Sequence, residues 1–193
     1  MDFKPNKLIT SDSVLFFDMD GTLVDTNYAN FLSYREAVKL VRGKDFNIAY
    51  SPHQRFNRSF LKKTISNLIK TELELIVREK EKNYNSLLHE TKLNNEIVEI
   101  LHKYFNTNKT ILVTNCRKER ALATLNYHGL IDKFSNFFFR QFSDNGNRKI
   151  NKFQNAILKL GISPNLVVLF ENEEIEIINA KQAGIEIINP ITI

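Results

Sequence analysis

The apolar positions of this chain fall into short, dense runs separated by longer stretches of helical periodicity. Five runs predict buried strands: VLFF at 14–17, TILVT at 110–114, NFFFRQF at 136–142, LVVLF at 166–170 and IEII at 185–188. Each is continuous rather than alternating, as expected of strands covered on both faces of a parallel sheet. Between the later runs, residues 117–128 lead to Gly129, residues 151–160 to Gly161 and residues 173–183 to Gly184. Helical patterns that end on glycine are natural helix stops. The alternation of strand and helix predicts a doubly wound α/β core with a Rossmann-like parallel sheet.

Residues 27–92 break this rhythm. The stretch has no convincing strand, and Phe56, Phe60, Leu61, Ile65, Leu68 and Ile69 recur at helical spacing. Ser51-Pro52 reads as an N-cap followed by a first-turn proline. The chain then returns through the helix-like EIVEILHKYF at 96–105. The expected organisation is a core of residues 1–27 and 93–193, interrupted by an all-helical insertion at 28–92. No internal repeat is visible.

Composition narrows the class. With 193 residues, 42% of them hydrophobic, 15 phenylalanines, and only 6 glycines and 4 prolines, the chain can build a substantial core and has no low-complexity character. One cysteine, Cys116, rules out an internal disulfide and favours a reducing, cytoplasmic setting. No run reaches the roughly 18 apolar residues of a membrane span, and MDFKPNKLIT lacks the apolar stretch of a signal sequence. A net charge of +5 suits an anionic ligand, either a phosphate ester or nucleic acid.

Polar residues mark the carboxyl ends of the predicted strands, where open α/β sheets place ligands. Asp18 and Asp20 end the first run; at i and i+2 of an extended segment they point to one side and repel. A divalent cation, a lysine or a phosphate-bearing assembly would relieve them. Thr114-Asn115, Lys149 in NGNRKINKF, and Glu171-Asn172 end the other segments at the same edge. A calcium loop also begins D-x-D, but it requires glycine at position six and glutamate at twelve, where this chain has Leu23 and Ala29. Taken alone, Thr114-Asn115 is an ordinary strand-to-helix cap, and ENEEIE an ordinary acidic helix start.

DMDGT resembles the first motif of the haloacid dehalogenase superfamily. VTN, the lysine and FENEEIEIINAKQAG fall in the order of its other three motifs. The resemblance implies a Mg²⁺-dependent phosphatase with a helical cap inserted after the first motif. Asp18 would attack phosphorus and form an aspartyl phosphate, and Asp20 would serve as general acid and base. Thr114, Asn115, Gly21 and Lys149 would surround the phosphoryl group. Asp18, the Asp20 carbonyl, Glu171 and Asn172 would hold the metal. Asn172 departs from the usual aspartate. Lys149 is preferred by counting back from Gly161, with Lys152 second. Family caps close over small substrates, so Arg55, Arg58, Lys62 and Lys63 are candidate contacts for a small phosphorylated metabolite. A binding protein that has lost turnover, a phosphatase acting on nucleic-acid ends and a phosphomutase-like phosphotransferase are the alternatives.

Overall fold

The structure, a computed structural model, describes residues 9–44, 49–52, 54–141 and 151–191. It divides into two compact units, one of residues 1–24 and 93–193 and one of residues 25–92. The first is built on a parallel five-stranded sheet. Its strands are β1 (Val14–Phe17), β4 (Lys109–Val113), β5 (Asn136–Phe138), β6 (Val167–Glu171) and β7 (Ile187–Pro190), in spatial order β5-β4-β1-β6-β7. Two-residue strands β2 (Val24–Asp25) and β3 (Lys92–Leu93) pair with one another where the chain leaves this unit and returns.

Strand β1 is central, and all four of its residues are buried. Successive side chains face opposite sides of a strand, so its four apolar residues serve two cores. Leu15 and Phe17 join Leu112, Val168 and Phe170 against α4 (Asn95–Tyr104) and α5 (Lys118–Tyr127), which contribute Ile97, Leu101 and Leu125. Val14 and Phe16 join Ile111, Val113, Val167 and Leu169 on the other face. There α6 (Lys152–Leu160) adds Phe153, Ala156 and Ile157, and α7 (Glu174–Gln182) adds Ala180. The Phe17 and Phe170 rings stack with centroids 4.8 Å apart. Burying a large apolar side chain of this kind contributes about 1.5–3 kcal/mol, so the core holds the end of β1 firmly. That end is where Asp18 begins.

Two predicted strands are shifted. The apolar run at 136–142 pairs only over Asn136–Phe138, because the Arg140 amide donates instead to the Cys116 carbonyl in the loop after β4; Phe142 lies outside the described residues. The last strand starts at Ile187, two residues later than its apolar run, since Ile185 is drawn back to bond the Ala180 carbonyl behind α7.

The second unit is helical: α1 (Asn27–Arg42), α2 (Arg58–Thr64), α3 (Lys70–Asn83) and a 3₁₀ segment over Tyr84–Glu90. Its core gathers Phe31, Tyr34, Phe56, Leu61, Ile65, Ile76 and Tyr84. Arg42 on α1 reaches Glu72 on α3 at 2.8 Å. Ser51-Pro52 does not start a helix. Ser51 instead closes a turn through its carbonyl and the Gln54 amide, and Asn57 caps α2 by accepting from the Phe60 amide at 2.9 Å. The periodic stretch 56–69 is also broken, since Asn67 adopts φ 64° and ends the helical path before α3 begins.

Asn151 caps α6 by accepting from the Phe153 and Gln154 amides, and its own amide donates to the Asn179 carbonyl at 2.8 Å. Asn151→Ala is expected to lower stability by about 1 kcal/mol, read as a shifted urea midpoint with an unchanged slope. An unshifted midpoint would show that other contacts hold the start of α6.

Candidate active site

The sheet register assembles this site. Phe17 lies beside Leu112 on β4 and Phe170 on β6, so the next residues of the three strands emerge together. Asp18 therefore sits next to Glu171, with Thr114 at the same edge. The Asp18 amide donates to the Phe170 carbonyl at 3.1 Å, extending the ladder to the site itself. Asp18, Asp20, Thr114 and Glu171 are all buried.

The residue that joins Asp18 to Glu171 is Lys152, the first residue of α6. Its Nζ donates to Asp18 Oδ1 and to Glu171 Oε2, each at 2.7 Å, and only 3% of its side chain is exposed. Glu171 Oε1 accepts from the Asn172 and Glu173 amides at 2.9 and 3.1 Å, so both of its oxygens are oriented. Lys149 lies outside the described residues. A signal for Lys152 was present in the sequence: it directly follows a capping asparagine at the start of an amphipathic helix, which fixes where its side chain begins.

One ammonium against two buried carboxylates leaves a negative surplus. Burial, and after it the charge of Glu171, push the Asp18 carboxyl up to about 7 against the pull of Lys152. Burial also raises Glu171, again opposed by Lys152. For Lys152, burial works to lower the ammonium, but the combined charges and hydrogen bonds of Asp18 and Glu171 outweigh it and hold it above the ordinary lysine range. Such a surplus favours an additional cation.

The loop after β1 packs against Asn172. Gly21 adopts φ +83°, and its amide donates to the Val24 carbonyl at 2.8 Å. A Cβ at this position would come within 2.3 Å of the nearest Asn172 amide atom. The Asn172 amide is satisfied with its nitrogen directed at Thr22 Oγ1 (3.2 Å), Glu171 Oε1 (3.3 Å) and the Asp20 carbonyl (3.2 Å). Thr22, fully buried, belongs to the site although its residue type alone did not single it out. Among the described residues no group of three or more His, Cys, Asp or Glu side chains gathers to hold a metal. The oxygen set here is two carboxylates, a backbone carbonyl and an amide, which is chemically suited to a hard cation such as Mg²⁺.

Asp20 has its own cation, Arg120, whose Nη2 lies 3.1 Å from Asp20 Oδ2. Sequence reasoning missed Arg120, because a basic residue in KERALATLNY reads as solvent-facing. Asn115 follows Thr114 and is half-buried. Arg55, Arg58 and Lys62 belong to the helical unit, where Arg58 and Lys62 are exposed on α2 while Leu61 turns inward.

The sequence matches the haloacid dehalogenase-like hydrolase family over residues 15–189. The chain belongs to this family. No curated protein matches it. Among solved structures, a haloacid dehalogenase-like hydrolase from Streptococcus pneumoniae is similar with a TM-score of 0.74 at 19% identity, covering 95% of this chain and 86% of that one. A candidate beta-phosphoglucomutase from Thermotoga maritima gives 0.70 at 26% identity, over 93% and 85% of the two chains. A predicted phosphoglycolate phosphatase from Haemophilus somnus gives 0.72 at 21%, over 93% and 85%. This haloacid dehalogenase-like hydrolase thus has the Rossmann-like α/β fold of its relatives. None of its described helices is long and apolar enough to cross a membrane.

Gly21→Ala is expected to lower the melting temperature, since it combines a left-handed backbone cost of about 1–2 kcal/mol with the contact to Asn172. Adding Asn172→Ala should recover the contact part and leave the backbone part. If the two substitutions simply add, Asn172 does not crowd position 21.

Proposed function

We propose that this hydrolase is a Mg²⁺-dependent phosphatase that acts on a small phosphorylated metabolite through an aspartyl phosphate on Asp18. The observation that carries this reading is the buried Lys152 bridge between Asp18 and Glu171 at 2.7 Å to each. It keeps a carboxylate nucleophile oriented at the edge of the sheet while supplying positive charge where a phosphoryl group would arrive. Similar structures described as a candidate beta-phosphoglucomutase and a predicted phosphoglycolate phosphatase support a small metabolite rather than a nucleic-acid end. The single buried cysteine suits a cytoplasmic protein.

In this reading an Asp18 oxygen bonds to phosphorus as the ester P–O bond breaks, and the Asp20 carboxyl gives its proton to the leaving oxygen. A water then bonds to phosphorus, passes a proton to Asp20 and releases inorganic phosphate from Asp18. The covalent route splits one difficult displacement into two easier ones, and a positioned acid and base contributes about 10² to 10⁴ in rate. Lys152 and the Thr114 hydroxyl hold the phosphoryl oxygens. Mg²⁺, held by Asp18, the Asp20 carbonyl, Glu171 and Asn172, would supply charge neutralisation of the phosphoryl group when bound.

Asn172 changes the terms of metal binding. Its amide nitrogen stands among oxygens that an aspartate could satisfy only through a cation. The amide must turn over to offer the metal its oxygen, and that oxygen is neutral. The expected consequence is a working enzyme with a high Mg²⁺ requirement.

A phosphate-release screen over sugar phosphates, nucleotides and other esters, with and without Mg²⁺, is the direct test. Asp18→Asn should fold normally and abolish release; retention of more than a few per cent would remove Asp18 as nucleophile. Asn172→Asp should lower the Mg²⁺ concentration for half-maximal activity, and its melting temperature should rise more with Mg²⁺ than that of the wild type. Identical responses would mean that Asn172 is not a ligand. If no ester is hydrolysed while Mg²⁺ still raises the melting temperature, the binding-protein alternative takes the lead. Replacing Arg58 or Lys62 by alanine is expected to weaken the preferred ester more than p-nitrophenyl phosphate. Equal weakening would confine those cations to a role unrelated to substrate choice.

A further inference from the structure

Asp18 and Asp20 are carboxyl groups two residues apart, and among the described residues each meets a different cation. Lys152 is committed to Asp18 and Glu171. Arg120, on the first turn of α5, donates from Nη2 to Asp20 Oδ2 at 3.1 Å and from Nε to Cys116 Sγ at 2.9 Å. The two charged side chains of this pair are only 14% and 5% exposed. Taking such a pair out of water costs several kcal/mol per ion before the attraction is counted, so stability alone is a poor reason for it.

The pair is also built from below. Thr114 Oγ1 accepts from the Cys116 amide at 3.2 Å, folding the loop after β4 into a tight turn. The Arg140 amide donates to the Cys116 carbonyl at 3.1 Å and holds the same residue from the β5 side. Cys116 is thereby a fixed seat for the guanidinium. The backbone of Asp20 is fixed too, by its bridge to Val24 and by the Asn172 amide at its carbonyl. Arg120 meets the Asp20 carboxyl with one arm of a planar fork whose Nε is anchored on Cys116.

We propose that Arg120 is a positioning residue that sets the orientation of the Asp20 carboxyl for proton transfer to the leaving oxygen. The role rests on the phosphatase reading above. It differs from that of Lys152, which meets the nucleophile, and it gives Cys116 a function as the seat of the guanidinium. A misplacement of about 1 Å in a reacting group can cost on the order of 10² in rate. The effect should fall on esters whose leaving oxygen needs a proton and largely spare those that leave as stable anions.

The test uses the full chain with Mg²⁺ and two probes, phenyl phosphate and p-nitrophenyl phosphate. The phenol or nitrophenol released is followed through the first turnover, before hydrolysis of the aspartyl phosphate contributes. Arg120→Met is expected to slow release from phenyl phosphate by about 10- to 100-fold and from p-nitrophenyl phosphate by less than about 3-fold. The half-saturating concentrations should stay nearly unchanged, and Arg120→Lys should recover part of the loss. Melting curves establish that the variants fold; if Arg120→Met does not, Arg120→Lys carries the comparison, with a smaller selective loss on phenyl phosphate. No loss, or equal losses on both esters, would overturn the positioning role and leave the phosphatase reading standing, provided that the wild type is active and Asp18→Asn is not. A folded wild type that releases neither product would overturn both.

Discussion

One ammonium group, buried between two carboxylates, is the interaction on which this site depends. Lys152 meets Asp18 and Glu171 at the same distance, and all three groups have surrendered most of their hydration. An arrangement of this kind is unfavourable unless the partners are held rigidly and their remaining polar atoms are satisfied. Both conditions are met by elements distant in sequence: β1 and β6 lie in parallel register and bring Asp18 and Glu171 together, and the Asn151 cap fixes where α6 begins. Removing the lysine would leave two buried acidic groups facing each other without their shared partner.

The division of cations extends the same logic. A sheet edge with Asp18, Asp20 and Glu171 in close quarters could collapse onto a single lysine, with the carboxylates competing for it. Instead Asp20 is drawn to Arg120, which approaches from α5 and is seated on Cys116. The acidic residues are thereby kept chemically distinct. In the proposed reaction they have different tasks, and different partners hold their carboxyls in different places.

The turn at Gly21 packs closely against the amide of Asn172. Asn172 can satisfy a carbonyl and a carboxylate with its nitrogen, so the oxygens on this side of the site are occupied by hydrogen bonds in the structure described. An aspartate in its place would add another negative charge to a cluster that already has a surplus. The neutral amide at this position adds no further charge.

The sequence by itself determined the class of the fold and most of the residues at the sheet edge. Five apolar runs are long enough to be buried strands, their continuity calls for coverage on both faces, and DMDGT, VTN and FENEEIE fall where such strands end. These are local facts, carried by periodicity and by residue type. Tertiary structure alone decided which basic residues enter the site. Lys152 opens α6, and it is the placement of that helix that brings its ammonium to Asp18. Arg120 is one hundred residues from Asp20 and gave no sign of its partner, because a cation on a helix reads as solvated until the packing of α5 removes the solvent. The helix boundaries near Ser51-Pro52 were lost for a related reason. A cap is a geometric event as well as a residue type, and only the packing of Phe56 and Leu61 into the core of the helical unit decided that Asn57 would supply it.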